Sequence, residues 1–259
     1  MENYFLEDLA KAFIISIGAK RQGKTYLMVR ALAYAIDNNM FEEYHLVFPQ
    51  FSGERSGAYD FLKGRKNVFI YDKYHEVLTQ KILKVFKEKH VFFGIDDASG
   101  EFMNNLDTAF CKLATCNEHQ KKCTIWLCVH SAKKILSPLI RQQASFIFMY
   151  RISNMKLIQD MYEEFFSTEF GHFKEFYEIY NQNVRQYDEV DEKGNKKRNA
   201  IVYSLEGKHD FEGITNWELI NYEPTPMKGK EKAKPNKVQE TPENGNTFNN
   251  FRFSKNIRI

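Results

Sequence analysis

The chain has 259 residues, 43% of them hydrophobic, 15% aromatic and 27% charged, with 37 Lys or Arg against 34 Asp or Glu for a net charge of +3. This is the composition of a globular protein able to bury a substantial core, and no apolar stretch approaches the roughly 18 to 20 residues of a membrane-crossing helix. The opening MENYFLEDLAKAF places three acids before its first Lys and lacks an apolar signal core, which excludes a secretory leader and points to an intracellular setting.

Between residues 12 and 151, short β-branched and apolar runs alternate with longer helical ones, the pattern of an α/β fold with a mainly parallel sheet. The first predicted strand, Phe13 to Ile17, runs into Gly18-Ala19-Lys20-Arg21-Gln22-Gly23-Lys24-Thr25, a complete GxxxxGKT, and a predicted helix follows from Lys24 to Ile36. Strand, glycine loop and helix in this order make a phosphate cradle. Gly18 and Gly23 let the backbone curl its N–H groups towards a polyphosphate, Lys24 suits the β- and γ-phosphates, and the Thr25 hydroxyl suits Mg²⁺. The candidate nucleotide-binding segment is Gly18 to Tyr26, with ATP and Mg²⁺ the expected cofactors; Lys20 and Arg21 add two cations that read best as solvent-exposed.

Further predicted strands cover His45 to Phe48 and Val68 to Tyr71, the second followed by Asp72, with a helix from His75 to Lys89. Next comes Val91 to Asp96, an apolar strand ending in Asp96 and Asp97, a Walker B pattern. Asp96 is the candidate Mg²⁺ partner and Asp97 the candidate base that polarises an attacking water, with Asp72 a rival for the first role. A second acid favours hydrolysis over transfer to another acceptor. A helix is expected from Phe102 to Asn117, then a strand from Thr124 to Val129 lying between the two Walker strands. That extra strand and the second acid define the ASCE type of P-loop NTPase. Its end presents His130 and Ser131 as candidate γ-phosphate sensors. The four cysteines, at 111, 116, 123 and 128, lack a CxxC knuckle and read as ordinary thiols.

A helix from Lys133 to Gln143, a strand from Phe146 to Tyr150, and helices over Lys156 to Phe165 and residues 168 to 181 complete the regular pattern. Two strand-like runs around the polar turn Glu192-Lys193-Gly194-Asn195, and then Trp217 to Tyr222, suggest a small C-terminal β addition. From Pro224 onwards eight Lys or Arg face three Glu, leaving residues 1 to 223 at −2. This Pro-, Asn- and Lys-rich tail reads as disordered. The organisation expected is therefore a core over 1–166, an extension of the same domain over 167–223, and a basic tail over 224–259.

The order of GAKRQGKTYL, NVFIYD, FFGIDDASGEF, LATCNEHQKKCTIWLCVHSAKKILSPLIRQQASFIFMYR and MYEEF, across about residues 12 to 166, resembles the FtsK-HerA class of P-loop ATPases. It is most similar to the genome-packaging ATPases of double-jelly-roll capsid viruses, including poxvirus, virophage and archaeal icosahedral virus members. Two positions depart from that pattern: Asn117-Glu118-His119 keeps the family's His without the Arg beside it, and His130 stands where a Gln is common. The resemblance makes Arg141 the first choice for an arginine finger and Arg151 the second. It implies a homo-oligomeric ring, pentamer or hexamer, that pumps double-stranded DNA into a preformed capsid. A capsid or portal-vertex protein is the implied docking partner, with no membrane involved, and the implied locations are the host cytoplasm, the virus assembly site or the virion itself. Lys121-Lys122, Lys133-Lys134 and the Lys-rich tail are candidate DNA contacts. Competing readings are a Zot-like phage assembly or export ATPase, a small-molecule or nucleotide kinase, and a nucleotide-dependent switch.

Overall fold

The computed structural model describes residues 12–49, 59–85, 88–97, 108–120, 123–131, 136–187, 190 and 198–204. Seven strands form one sheet: β1 (Phe13–Ile17), β2 (Glu43–Val47), β3 (Val68–Tyr71), β4 (Val91–Asp96), β5 (Cys123–Val129), β6 (Phe146–Met149) and β7 (Ile201–Ser204). Their order across the sheet is β3-β2-β4-β5-β1-β6-β7. The first six are parallel, and β7 is antiparallel to β6. The near-continuous apolar character of β1, β4 and β5 follows from this arrangement, because both faces of a parallel sheet are covered and strand residues are buried on alternate sides.

On one face lies α1 (Lys24–Asp37), which packs Leu27, Met28, Leu32 and Ile36 against Ile14, Leu46, Phe92, Trp126 and Phe148. Close approach is possible because β4 carries Gly94: a methyl there would sit 3.1 Å from Phe92 Cε1, 3.2 Å from Leu46 Cδ2 and 3.3 Å from Met28 Sδ. On the opposite face are α2 (Glu76–Val85), α3 (Thr108–Gln120), α4 (Pro138–Gln142), α5 (Met155–Met161) and α6 (Phe173–Tyr180), over Phe13, Ile15, Phe93, Ile125 and Ile147. Both α5 and α6 continue in a wider π turn, at Tyr162–Phe166 and Asn181–Arg185. Among the described residues no helix is long and apolar enough to cross a membrane.

Most predicted elements are present with shifted ends. The helix expected from Lys133 is seen only from Pro138, where the fixed φ of proline suits the first helical position and Ser137, extended at ψ 155, caps it by accepting from Ile140 N–H. The helix expected over 168 to 181 starts at Phe173, after a turn at 167–169 and a bend at Gly171 and His172. Of the C-terminal β addition, β7 is present. The turn at 192–195, Trp217 to Tyr222 and the basic tail lie outside the described residues, as do Lys121-Lys122 and Lys133-Lys134.

At the β3 edge, His45 is fully buried between Glu43 and Tyr71. The Glu43 carboxylate only accepts, so the His45 Nε2–H donates to it at 3.1 Å, and Nδ1 accepts from the Tyr71 hydroxyl at 3.0 Å. This hydrogen bond, opposed by burial, holds the Glu43 carboxyl down to about 2, while burial keeps His45 below its ordinary value.

Candidate nucleotide site

Residues 18 to 23 leave β1 and cross the ends of its neighbours. Gly18 N–H donates to Val129 O at 3.3 Å, and Ala19 N–H donates to Arg151 O at 3.0 Å. Two backbone positions demand their residue. Gly18 lies against Tyr150 so closely that a Cβ would come within 2.6 Å of the Tyr150 Cβ, and Gly23, the N-cap of α1, has φ 103. Arg21 also adopts a left-handed φ of 60. Lys20, Arg21 and Tyr26 are exposed and Gln22 is half-buried, its amide 3.5 Å from Lys20 O. Tyr26 carries the Arg30 guanidinium over its ring at 4.9 Å.

Lys24 points back into the loop. It is 6% exposed, and its ammonium donates to Gly18 O and Ala19 O, both at 2.8 Å, with burial lowering its proton affinity. The next residue joins the loop to β4: Thr25 Oγ1 lies 2.9 Å and 3.0 Å from the two Asp96 carboxylate oxygens. Burial raises the Asp96 carboxyl, and the Thr25 hydrogen bond works against that shift.

Asp97, one residue on, has φ 51, an uncommon left-handed conformation for a residue other than glycine. Its amide is tied to Cys128 O at 3.2 Å, which turns the side chain towards the end of β5. There His130 Nε2 lies 2.9 Å from Asp97 Oδ1, and His130 Nδ1 lies 3.0 Å from Gly18 O. The imidazole thus spans from the glycine loop to the second carboxylate. Ser131 lines a small hollow beside it with Ile152, Leu157 and Asp160. Gly18, Lys24, Thr25, Asp96, Asp97 and His130, chosen from three separate segments, are brought together at the carboxyl ends of the interior strands β1, β4 and β5.

Other expected positions fall elsewhere. Asp72 follows β3, four strands from β1, or roughly 19 Å at about 4.8 Å per strand, whereas Asp96 follows β4, two strands away. The sheet order therefore removes Asp72 as a rival. Arg141 is built into the fold: it is 5% exposed, its Nε and Nη2 donate to Glu164 at 2.9 and 3.0 Å, and Nη1 donates to Leu136 O at 2.5 Å. Each of its three guanidinium nitrogens is bonded within the chain. Arg151, the second choice, is exposed beside the glycine loop. Asn117 is buried and accepts from Cys123 N–H at 2.8 Å, a structural link into β5; the side chains of Glu118 and His119 lie outside the described residues. Sequence reasoning missed Tyr150 and Arg198, which flank Gly23. A methyl on Gly23 would meet Arg198 Cβ at 3.4 Å and Tyr150 Cε1 at 3.5 Å.

A strand inserted between the glycine-loop strand and the strand bearing two acids, with a Lys and Thr at the start of α1, defines the class: the fold is that of a P-loop NTPase of the ASCE type. No protein-family model matches the chain, and no curated protein matches it in sequence. Among solved structures, the fold is similar to that of the genome packaging NTPase B204 from Sulfolobus turreted icosahedral virus 2. In its complexes with AMP and with ATP-gammaS the TM-score is 0.54 at 16% identity, covering 76% of this chain and 94% of that one. It is similar also to B204, the DNA-packaging ATPase from Sulfolobus turreted icosahedral virus, with a TM-score of 0.54 at 15% identity over 77% of this chain and 95% of that one. At these identities the likeness is one of fold, and it is the fold that the order of motifs implied.

Proposed function

We infer that the chain is an ATP-driven DNA translocase of the genome-packaging kind. The observation that carries the hydrolytic part is the contact of Thr25 with Asp96, 2.9 Å, with Asp97 and His130 alongside. A hydroxyl and a carboxylate are the hard oxygen donors that Mg²⁺ takes, and they already converge at the N-terminus of α1. Thr25 and Asp96 would hold Mg²⁺ there, and the ion would supply charge neutralisation to the polyphosphate. Backbone N–H groups of residues 20 to 25 hold the polyphosphate, and Lys24 exchanges a loop carbonyl for phosphate oxygens. Asp97 accepts the proton of the attacking water as the β–γ bridging oxygen leaves with ADP, and His130 registers the γ-phosphate through Asp97 and Gly18. Arg151 replaces Arg141 as the residue offered to a neighbouring subunit in a homo-oligomeric ring.

The DNA part rests on the fold likeness to packaging NTPases. Double-stranded DNA is the cargo of this reading, a capsid or portal-vertex protein the docking partner, and the virus assembly site in the host the location. The test is steady-state ATP hydrolysis across protein concentrations, with and without linear double-stranded DNA, using Asp97→Asn as the blank. Turnover that rises with concentration and DNA supports the reading. Turnover indifferent to both would discard translocation while leaving the ATP site in place.

A further inference from the structure

The segment leading into β7 delivers to the P-loop a residue that no motif announces. Because β7 is antiparallel to β6, with Met149 opposite Ile201, the residues preceding β7 enter at the carboxyl ends of the parallel strands, where the P-loop lies. Asn199 fixes that entry. It is 5% exposed, its Nδ2 donates to Asn183 O at 2.8 Å, and its Oδ1 accepts from Ala200 N–H at 2.9 Å. Arg198 comes next, half-buried, and lays its stem on Gly23: a methyl on that glycine would lie 3.4 Å from Arg198 Cβ and 3.8 Å from Cγ.

Sheet order decides which end of a nucleotide this side chain meets. Asp96, Asp97 and His130 stand on β4 and β5, on one side of β1, while β6 and β7 stand on the other. A triphosphate with its γ-phosphate at the carboxylates therefore runs its α-phosphate and nucleoside towards β6 and β7. The Arg198 guanidinium, about 5 Å beyond its Cγ when extended, reaches that stretch, and its planar fork of donors matches a phosphate.

We propose that Arg198 grips the nucleoside end of the bound triphosphate, at its α-phosphate and from within the same chain, so that β7 completes a site otherwise built by the first 166 residues. This rests on the reading of Gly18 to Thr25 as an ATP site. The test is calorimetric titration of the full chain with Mg²⁺ and either ATP or ADP, for wild type, Arg198→Ala, Arg198→Gln and Arg198→Lys, with urea midpoints as the check on folding. Loss of one charge-assisted contact is expected to weaken ATP and ADP by the same factor, about tenfold or more, in the Ala variant. Arg198→Gln keeps a stem on Gly23 without the charge and is expected to bind as weakly; Arg198→Lys recovers part of the affinity. Wild-type affinity in Arg198→Gln overturns the proposal, and so does a loss confined to ATP, which would put the guanidinium at the γ-phosphate. A wild-type chain that binds neither nucleotide gives a different result, removing the ATP site itself and this inference with it.

Discussion

Asp97 combines a left-handed backbone with a carboxylate directed at His130, and the two properties can be separated. Asn tolerates the left-handed region nearly as well as Asp, so Asp97→Asn is expected to leave the urea midpoint unchanged while lowering kcat for ATP about 10² to 10⁴-fold, with nucleotide binding retained. Lys24→Ala, by contrast, is expected to abolish ATP binding in a titration, because the ammonium is the one buried cation at the loop among the described residues. Away from the site, Glu43 and His45 make stability depend on pH. His45 is held below its ordinary value, so the unfolded chain takes up its proton first; the stability tied to it is full above about pH 6.5 and falls as pH drops below that. Glu43, held down to about 2 against 4.5, contributes in full above about 4.5 and loses that contribution as pH falls towards 2. Urea midpoints between pH 7.5 and 5 are expected to decline in the wild type and to flatten in His45→Gln.

At the scale of elements, Gly94 sets the distance between α1 and the sheet, and through it the placement of Lys24 and Thr25. Gly94→Ala is expected to cost about 1 to 3 kcal/mol by overpacking, read as a lowered urea midpoint, since Met28, Leu46 and Phe92 all crowd the added methyl. Arg141→Met leaves Glu164 without its bidentate partner and is expected to lower stability by about 2 kcal/mol; on the ring reading proposed above, Arg151→Ala is expected to spare stability and to lower turnover only at high protein concentration. The contrast between these arginines also marks what the sequence could show. The glycine loop and the paired acids are local patterns, each fixed by one strand and its adjoining turn, and the strand between them was predicted from its apolar run. What Arg141 does depends on Glu164, which sits in the π turn after α5, and a wider turn leaves no trace in apolar spacing. Arg198 was missed for a similar reason: its meeting with Gly23 is created by the pairing of β7 with β6 across residues far apart in the chain. The start of α4 was legible in principle, because Pro138 after Ser137 marks a helix beginning.

For the whole molecule, the placement of β1 governs how the fold can be reached. The first of the described strands is interior to the sheet, with Phe13 opposite Ile125 and Ile14 opposite Phe146. At about 5 to 20 residues per second, a ribosome spends on the order of ten seconds between releasing β1 and supplying both of its neighbours. During that interval the residues of β1 lack both of the strands they pair with in the fold, while the partners β2 and β3 are already present together. The seam closes only when β5 and β6 emerge, and closing it is what bends residues 18 to 23 over the ends of those strands. The nucleotide cradle is thus completed only after the two strands that flank it, although its motif precedes both of them in the chain.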